Sequence, residues 1–265
     1  MASILDRIFA AKREEVGARQ SAIPLEAMRV IAADAIAPRD FLAALRTHRP
    51  AIIAEVKRAS PSKGDILPGL DPAAVASAYL TGGAAALSVL TDRHFKGSLH
   101  DLRAVRAAAN LPLLRKDFMF APYQVYEARA AGADAILLIV AMLERDVLCE
   151  LSALARELGM GALIEVHNEA EFALANTIGA ALIGINNRDL HTFRTDLAVT
   201  ERLLRGYDGN AVVVSESGIG SAADIARLDA AGARGFLIGE SLLRGGDPDR
   251  ALSALLTPAG ARARD

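Results

Sequence analysis

The chain has 265 residues, 52% hydrophobic and 23% charged, with a formal charge of -2, so it can bury a substantial core and has no broad field to draw nucleic acid or an anionic membrane. That length sits near the size at which one hydrophobic centre stops growing, which makes a single large domain the expectation and two smaller ones the competitor. Charged residues by position 15, no uncharged apolar run of membrane-spanning length, and a single cysteine, Cys149, remote from any metal or redox pattern together predict a soluble protein of the reducing cytoplasm.

Residues 1–50 read as a helical extension. Ile4 to Arg19 and Pro24 to Ala33 carry apolar positions at helical spacing, and Pro38-Arg39-Asp40 starts a further short helix that ends before Pro50. The expected role is to cover one end of the domain formed by the later residues, the alternative being a substrate-facing edge. From 51 to 256 apolar strand candidates alternate with Ala- and Leu-rich helices, and 257–265 reads as a frayed tail.

The strand candidates are Ile52 to Val56, Ala86 to Leu90, Leu111 to Leu114, Ala135 to Val140, Ala162 to Val166, Ala181 to Ile185, Ala211 to Val214 and Gly235 to Ile238. Helix-length intervals between them argue for parallel strands with covering helices. Pro112 places the start of the third strand near Leu113. Glycines 82, 132, 179 and 232, each leading from a helical stretch into a strand, are spaced by 50, 47 and 53 residues, about two strand-helix units each. The repetition favours an α/β fold of one closed (β/α)8 barrel over an open doubly wound sheet.

Such a barrel gathers residues from the C-terminal strand ends at one mouth. Glu55 and Lys57 share a face by period-two alternation; Lys116 follows the third strand, Glu165 lies in the fifth, Asn186 follows the sixth, and Glu216 with Ser217 follows the seventh. One charged strand end alone reads as a solvated end or a salt bridge. Acid, base or amide groups at five of eight ends supply proton donors and acceptors and anion binding without a metal, and no His/Asp/Glu ligand pattern offers a metal site instead.

Ser217-Gly218-Ile219-Gly220-Ser221 and Ile238-Gly239-Glu240-Ser241 follow the last two strands, where barrels commonly bind phosphate with backbone N–H groups. Glu240 is expected to offer its N–H and turn its carboxylate away. The loop Arg58 to Leu70 has turn chemistry at Pro61 and Gly64 and could close with Ser60 and Lys63 near substrate, or merely connect. Phe95 and Phe118 suit a planar substrate or ordinary packing. The histidines have no metal spacing, and His167 is set aside because Glu165 reaches the same mouth.

The segment IIAEVKRASPSKGDI, Ile52 to Ile66, resembles the signature of the indole-3-glycerol-phosphate synthase family. LSVLTD (87–92), LLRKDF (113–118), LIEVH (163–167), IGINNRDL (183–190), SESGI (215–219) and GFLIGESL (235–242) resemble the rest of the family in order, over roughly residues 3 to 256. The resemblance implies a lyase that turns 1-(2-carboxyphenylamino)-1-deoxyribulose 5-phosphate into indole-3-glycerol phosphate, carbon dioxide and water, with no metal or organic cofactor. It implies Lys116 as general acid, Glu165 as acid/base partner, Glu55 as orienter of the ionisable network, and Lys57 as partner of anionic substrate groups. Asn186 and Glu216 would orient intermediates; Ser217, Gly218, Gly239 and Glu240 would face phosphate; Arg188, Phe118 and Ser60 would serve charge balance, ring packing and carboxylate positioning.

One departure is the loop Thr91 to Ser98, which looks shorter than many family versions and in which Phe95 fills only one of two usual aromatic positions. The rival readings are another phosphosugar barrel, such as a phosphoribosyl isomerase, and a non-catalytic barrel that binds an anthranilate-derived ligand or scaffolds neighbouring enzymes. The expected partner is a small phosphosugar, with neither nucleic acid nor membrane. A monomer is favoured, and association with a pathway enzyme stays open.

Overall fold

The computed structural model describes residues 4–60, 64–67, 69–190 and 192–257, with side chains from residue 7 onward. The expectations placed on Lys63, on His191 and on the tail from Pro258 lie outside the described residues. Eight parallel strands close into a barrel: β1 Ala51–Val56, β2 Ala86–Leu90, β3 Leu113–Lys116, β4 Ala135–Ile139, β5 Gly161–Val166, β6 Leu182–Asn186, β7 Val212–Glu216 and β8 Gly235–Ile238. β1 pairs with both β2 and β8, which completes the ring. A two-residue antiparallel ribbon, Ala59–Ser60 against Gly64–Asp65, follows β1.

Parallel neighbours cannot be joined by a tight hairpin, so a helix crosses back after each strand. These are α4 Pro72–Thr81, α5 Leu99–Ala108, α6 Pro122–Ala130, α7 Arg145–Glu157, α8 Glu169–Thr177, α9 Ala198–Leu204 and α10 Ala222–Ala230; α11 Glu240–Leu243 and α12 Pro248–Leu256 follow β8. Local chemistry starts several of them. The Asp71 side chain accepts from Ala73 N ahead of Pro72, and Ser98 and Ser221 form reciprocal capping boxes with Asp101 and Asp224. Gly132, Gly179 and Gly232 end their helices at φ 89°, 72° and 111°, as the repeat suggested. In the first turn the left-handed residue is instead Gly83, at φ 92°. Gly82 there stays right-handed and packs on α12, where an added Cβ would sit 2.9 Å from the Asp249 carbonyl oxygen.

The strands are buried on both faces, which is why they read as continuous apolar runs rather than alternating ones. Ile52, Ala54 and Val56 pack outward against the helices, while Ala51 and Ile53 join Leu114, Ala135, Leu137, Leu163, Leu182, Val214 and Leu237 inside the ring. The N-terminal extension, α1 Ile4–Ala22, α2 Leu25–Asp34 and α3 Phe41–Thr47, serves both ends. Phe41 and Leu45 of α3, each 1% exposed, join that interior layer, and such burial contributes about 2 kcal/mol per side chain. α1 lies across the opposite mouth, where Lys12 reaches residues beyond β2 and β3. Covering one end and edging the substrate mouth, weighed as alternatives from the sequence, are thus divided between two helices. Among the described residues no helix is long and apolar enough to cross a membrane.

Candidate active site

The alternation that puts Ile53, Leu114, Leu163 and Val214 inside the barrel carries Glu55, Lys116, Glu165 and Glu216 onto the same axis, one step nearer the mouth. Lys116 Nζ donates to Glu165 Oε2 at 3.0 Å and to Glu216 Oε2 at 3.1 Å. Lys57 Nζ lies 2.5 Å from Glu55 Oε1, and Asn186 Nδ2 donates to Glu165 Oε1 at 3.2 Å. Gly184 makes room for Glu216 inside the ring, since a Cβ there would fall 2.1 Å from the Glu216 carboxylate.

Burial by itself would make Lys116 a weaker base, but Glu165, Glu216 and Glu55 outweigh it and hold the ammonium protonated beyond the ordinary lysine range. Burial would also neutralise Glu165; the Lys116 charge and His167 outweigh it and keep this carboxylate ionised well below its usual range. For Glu216 burial prevails over Lys116, helped by repulsion from Glu165 and Glu55, and the carboxyl is pushed up to about 7. One lysine thus stands between an ionised carboxylate and one that still holds its proton near neutral pH.

A buried ion network braces this floor from outside. Arg115, on the helix-facing side of β3, bonds Asp117 Oδ2 at 2.9 Å, Glu127 Oε2 at 2.9 Å and the Gln124 carbonyl at 3.1 Å. Asp117 also accepts from Thr91 Oγ1 at 2.7 Å and meets Lys12 Nζ at 2.8 Å, while Asp92 meets the same ammonium at 2.7 Å. On the far side, Asn187 donates to Ser215 Oγ at 2.9 Å and to the Ser217 carbonyl at 3.1 Å, and accepts from Thr200 Oγ1 at 2.8 Å. These bonds pin the loop after β7.

Above the floor lies a cavity of about 470 Å³. Every residue singled out from the sequence as a site candidate among the described ones lines it, with different chemistry on different walls. One wall is apolar: Phe95 and Phe118, ring centroids 6.4 Å apart, with Ile8, Leu137 and Met142. The opposite wall is Ser217-Gly218 and Gly239-Glu240, with the Glu240 carboxylate paired to Arg244, which lines the same cavity. Ser60, whose buried Oγ has no hydrogen-bond partner among the described residues, and Arg188, whose backbone N–H donates to Asn186 Oδ1 at 3.1 Å, close the remaining sides.

Sequence reasoning missed Lys12, Asp92, Asp117 and Asn187. Lys12 had a visible signal: Ile8, Lys12 and Val16 repeat at a spacing of four on the buried face of α1, so a lysine occupies a core position in an apolar stripe. Among the described residues no group of His, Cys, Asp and Glu is arranged to hold a metal ion.

The family model described as indole-3-glycerol phosphate synthase matches residues 5–255. The indole-3-glycerol phosphate synthase of Desulfosudis oleivorans is 50% identical over 262 residues, covering 97% of this chain and 100% of its own. That of Mycolicibacterium gilvum is 49% identical over 257 residues, covering 97% of this chain and 94% of its own. Among solved structures, the N-acetylmannosamine-6-phosphate 2-epimerase of Clostridium perfringens superposes with a TM-score of 0.59 at 15% identity over 74% of this chain and 89% of its own, a likeness of fold alone.

Proposed function

The chain belongs to the indole-3-glycerol phosphate synthase family, and from that premise we propose how its barrel mouth closes an indole ring. The reaction converts 1-(2-carboxyphenylamino)-1-deoxyribulose 5-phosphate to indole-3-glycerol phosphate, carbon dioxide and water. The observation that carries the assignment of roles is the Lys116 ammonium held at 3.0 and 3.1 Å between Glu165 and Glu216, beneath a cavity with an aromatic wall on one side and small-residue loops on the other.

In this reading the phosphate lies against Ser217-Gly218 and Gly239-Glu240, where backbone N–H groups can approach an anion closely. The carboxyphenyl ring packs on Phe95 and Phe118, and its carboxylate meets Lys57, with Ser60 and Arg188 beside it. The fixed ends bring the ring carbon that bears the carboxylate against the sugar carbonyl. Lys116 donates its proton to the carbonyl oxygen as the carbon–carbon bond forms. Departure of carbon dioxide returns its bonding electrons to the ring. Glu165, held by Asn186, then takes the proton lost in dehydration, and Glu216, protonated near neutral pH, assists departure of the hydroxyl. Glu55 keeps Lys57 oriented.

The test is indole fluorescence after mixing purified protein with the carboxyphenylamino deoxyribulose phosphate, without added metal, alongside Lys116→Ala. Product formed by the wild type and lost in the variant supports both the reaction and the role of Lys116. A folded wild-type protein that consumes no substrate would return weight to an isomerase-type phosphosugar barrel or a binding-only barrel.

A further inference from the structure

His167, two residues beyond Glu165 on the same chain segment, has no role in the ring closure itself. Its Nε2 nevertheless lies 3.3 Å from Glu165 Oε1, and its Nδ1 lies 3.1 Å from Glu171 Oε2 on the first turn of α8. Glu171 is itself fixed: Oε2 accepts the His167 backbone N–H at 2.7 Å and Oε1 accepts Asn168 Nδ2 at 2.7 Å. With Lys116 Nζ 3.0 Å from the other Glu165 oxygen, a row Glu171, His167, Glu165, Lys116 runs from the half-buried rim of the barrel to its floor. Every member can hold and release a proton.

The ring-closure reading, on which this inference rests, gives such a row a task. Lys116 loses its proton to the carbonyl oxygen, which becomes a hydroxyl. Loss of carbon dioxide neutralises the iminium nitrogen formed in ring closure and releases no proton. In dehydration one proton leaves with the hydroxyl and one is shed from carbon, so that step balances internally. Each turnover therefore consumes one proton from solvent, and the cluster of Lys116, Glu165 and Glu216 is left one proton short beneath a ligand that fills the cavity.

We infer that Glu171 and His167 form the route by which solvent reprotonates Lys116 through Glu165, with His167 a positioning and relaying residue that does not itself touch substrate. Glu165 owes its low proton affinity first to the charge on Lys116, so once Lys116 has given up its proton Glu165 can accept one from His167, and the two ends of that inner stretch, His167 and Lys116, favour inward transfer. Burial would lower the affinity of His167, but Glu165 and Glu171 outweigh burial and raise it to about 10, while Lys116 is raised above the ordinary lysine value of 10.5. Other groups facing the pair are Asn186 from β6 and Asn168 at the start of α8; the turn Val140–Met142, which packs on β5 and α8, carries no titratable side chain.

The decisive comparison is His167→Gln, which keeps a hydrogen-bonding side chain but cannot carry a proton, with Glu171→Gln removing the outer link from the rim. For His167→Gln, kcat is expected to fall about tenfold with KM within about twofold of wild type, a modest share of what acid–base groups supply. The solvent deuterium isotope effect on kcat should grow, and added imidazole should restore part of the rate. Glu171→Gln should show a smaller loss of the same kind, which keeps the test informative should His167→Gln fail to fold in a thermal melt. Unchanged kcat and isotope effect in either folded variant, or a loss confined to KM, would overturn the relay. Failure of the wild type to form product under the same conditions would silence all three proteins and overturn the ring-closure reading with it.

Discussion

Lys12 Nζ sits 2.8 Å from Asp117 Oδ1, so the N-terminal helix is tied to the residue that follows Lys116. The same ammonium meets Asp92 at 2.7 Å, and the side chains of all three residues are fully buried. Removing the cation leaves two carboxylates buried with one partner fewer. Lys12→Met is expected to cost about 3 to 5 kcal/mol in urea unfolding. Because α1 also edges the cavity through Ile8, residual folded protein should show weakened turnover as well. A loss below about 1 kcal/mol would show that Arg115 alone suffices to hold Asp117.

The same network sets an acid limit on stability. Burial would raise the affinity of Asp117 for a proton, but Arg115 and Lys12 outweigh it and hold the carboxyl at about 2, below its ordinary 3.8. A depressed folded value means that the stabilisation is complete above about pH 4 and is lost as pH falls through about 2. It amounts to about 2 kcal/mol for this residue. Unfolding free energies measured between pH 5 and pH 2 should fall more steeply for the wild type than for Asp117→Asn.

Glu216 predicts the opposite slope. Its folded value of about 7 lies above the ordinary 4.5, so the native state holds a proton that the unfolded chain releases between those values. Stability contributed by protonated Glu216 is present below about pH 4.5 and is lost as pH rises through about 7. Glu216→Gln, which cannot ionise, should therefore gain in stability relative to the wild type from pH 5 to pH 8. A difference independent of pH would mean that Lys116 keeps Glu216 ionised throughout.

The two lysines divide by position. Lys116 lies at the floor between two carboxylates, whereas Lys57 pairs with Glu55 nearer the rim. Lys116→Ala is expected to lower kcat by about 10³ or more with modest loss of substrate binding, and Lys57→Ala to raise KM as well as lower kcat. Equal binding defects with preserved turnover in both would sink that division.

On the opposite wall, Gly218 adopts φ 83°, and a Cβ would come 2.4 Å from Thr195 Cγ2. Gly218→Ala is therefore strained twice, by its backbone and by the clash, and should displace the loop against which the phosphate lies. The expected result is a KM raised about tenfold or more with a smaller change in kcat; inorganic phosphate should lose potency as an inhibitor in parallel.

Much of this protein is written in local pattern. Strand-helix alternation and the glycine turns disclosed the barrel, because a parallel strand must be apolar on both faces and its crossover must end in a compact turn. Position at the strand ends placed Glu55, Lys116, Glu165 and Glu216 at one mouth, and the period of two put Glu55 and Lys57 on a shared face, since alternation along a strand is set by the pleat whatever the strand packs against. The motifs carried the family resemblance, which the relatives bear out over nearly the whole chain. Packing across long stretches of sequence decided the rest. That α3 plugs one end while α1 braces the other, that Lys12 pairs with residues 80 and 105 positions away, and that His167 joins Glu165 to Glu171 depend on which surfaces meet. So do the split proton affinities of Glu165 and Glu216: two carboxylates alike in sequence differ because burial and the direction of each neighbour's charge are properties of the folded chain alone.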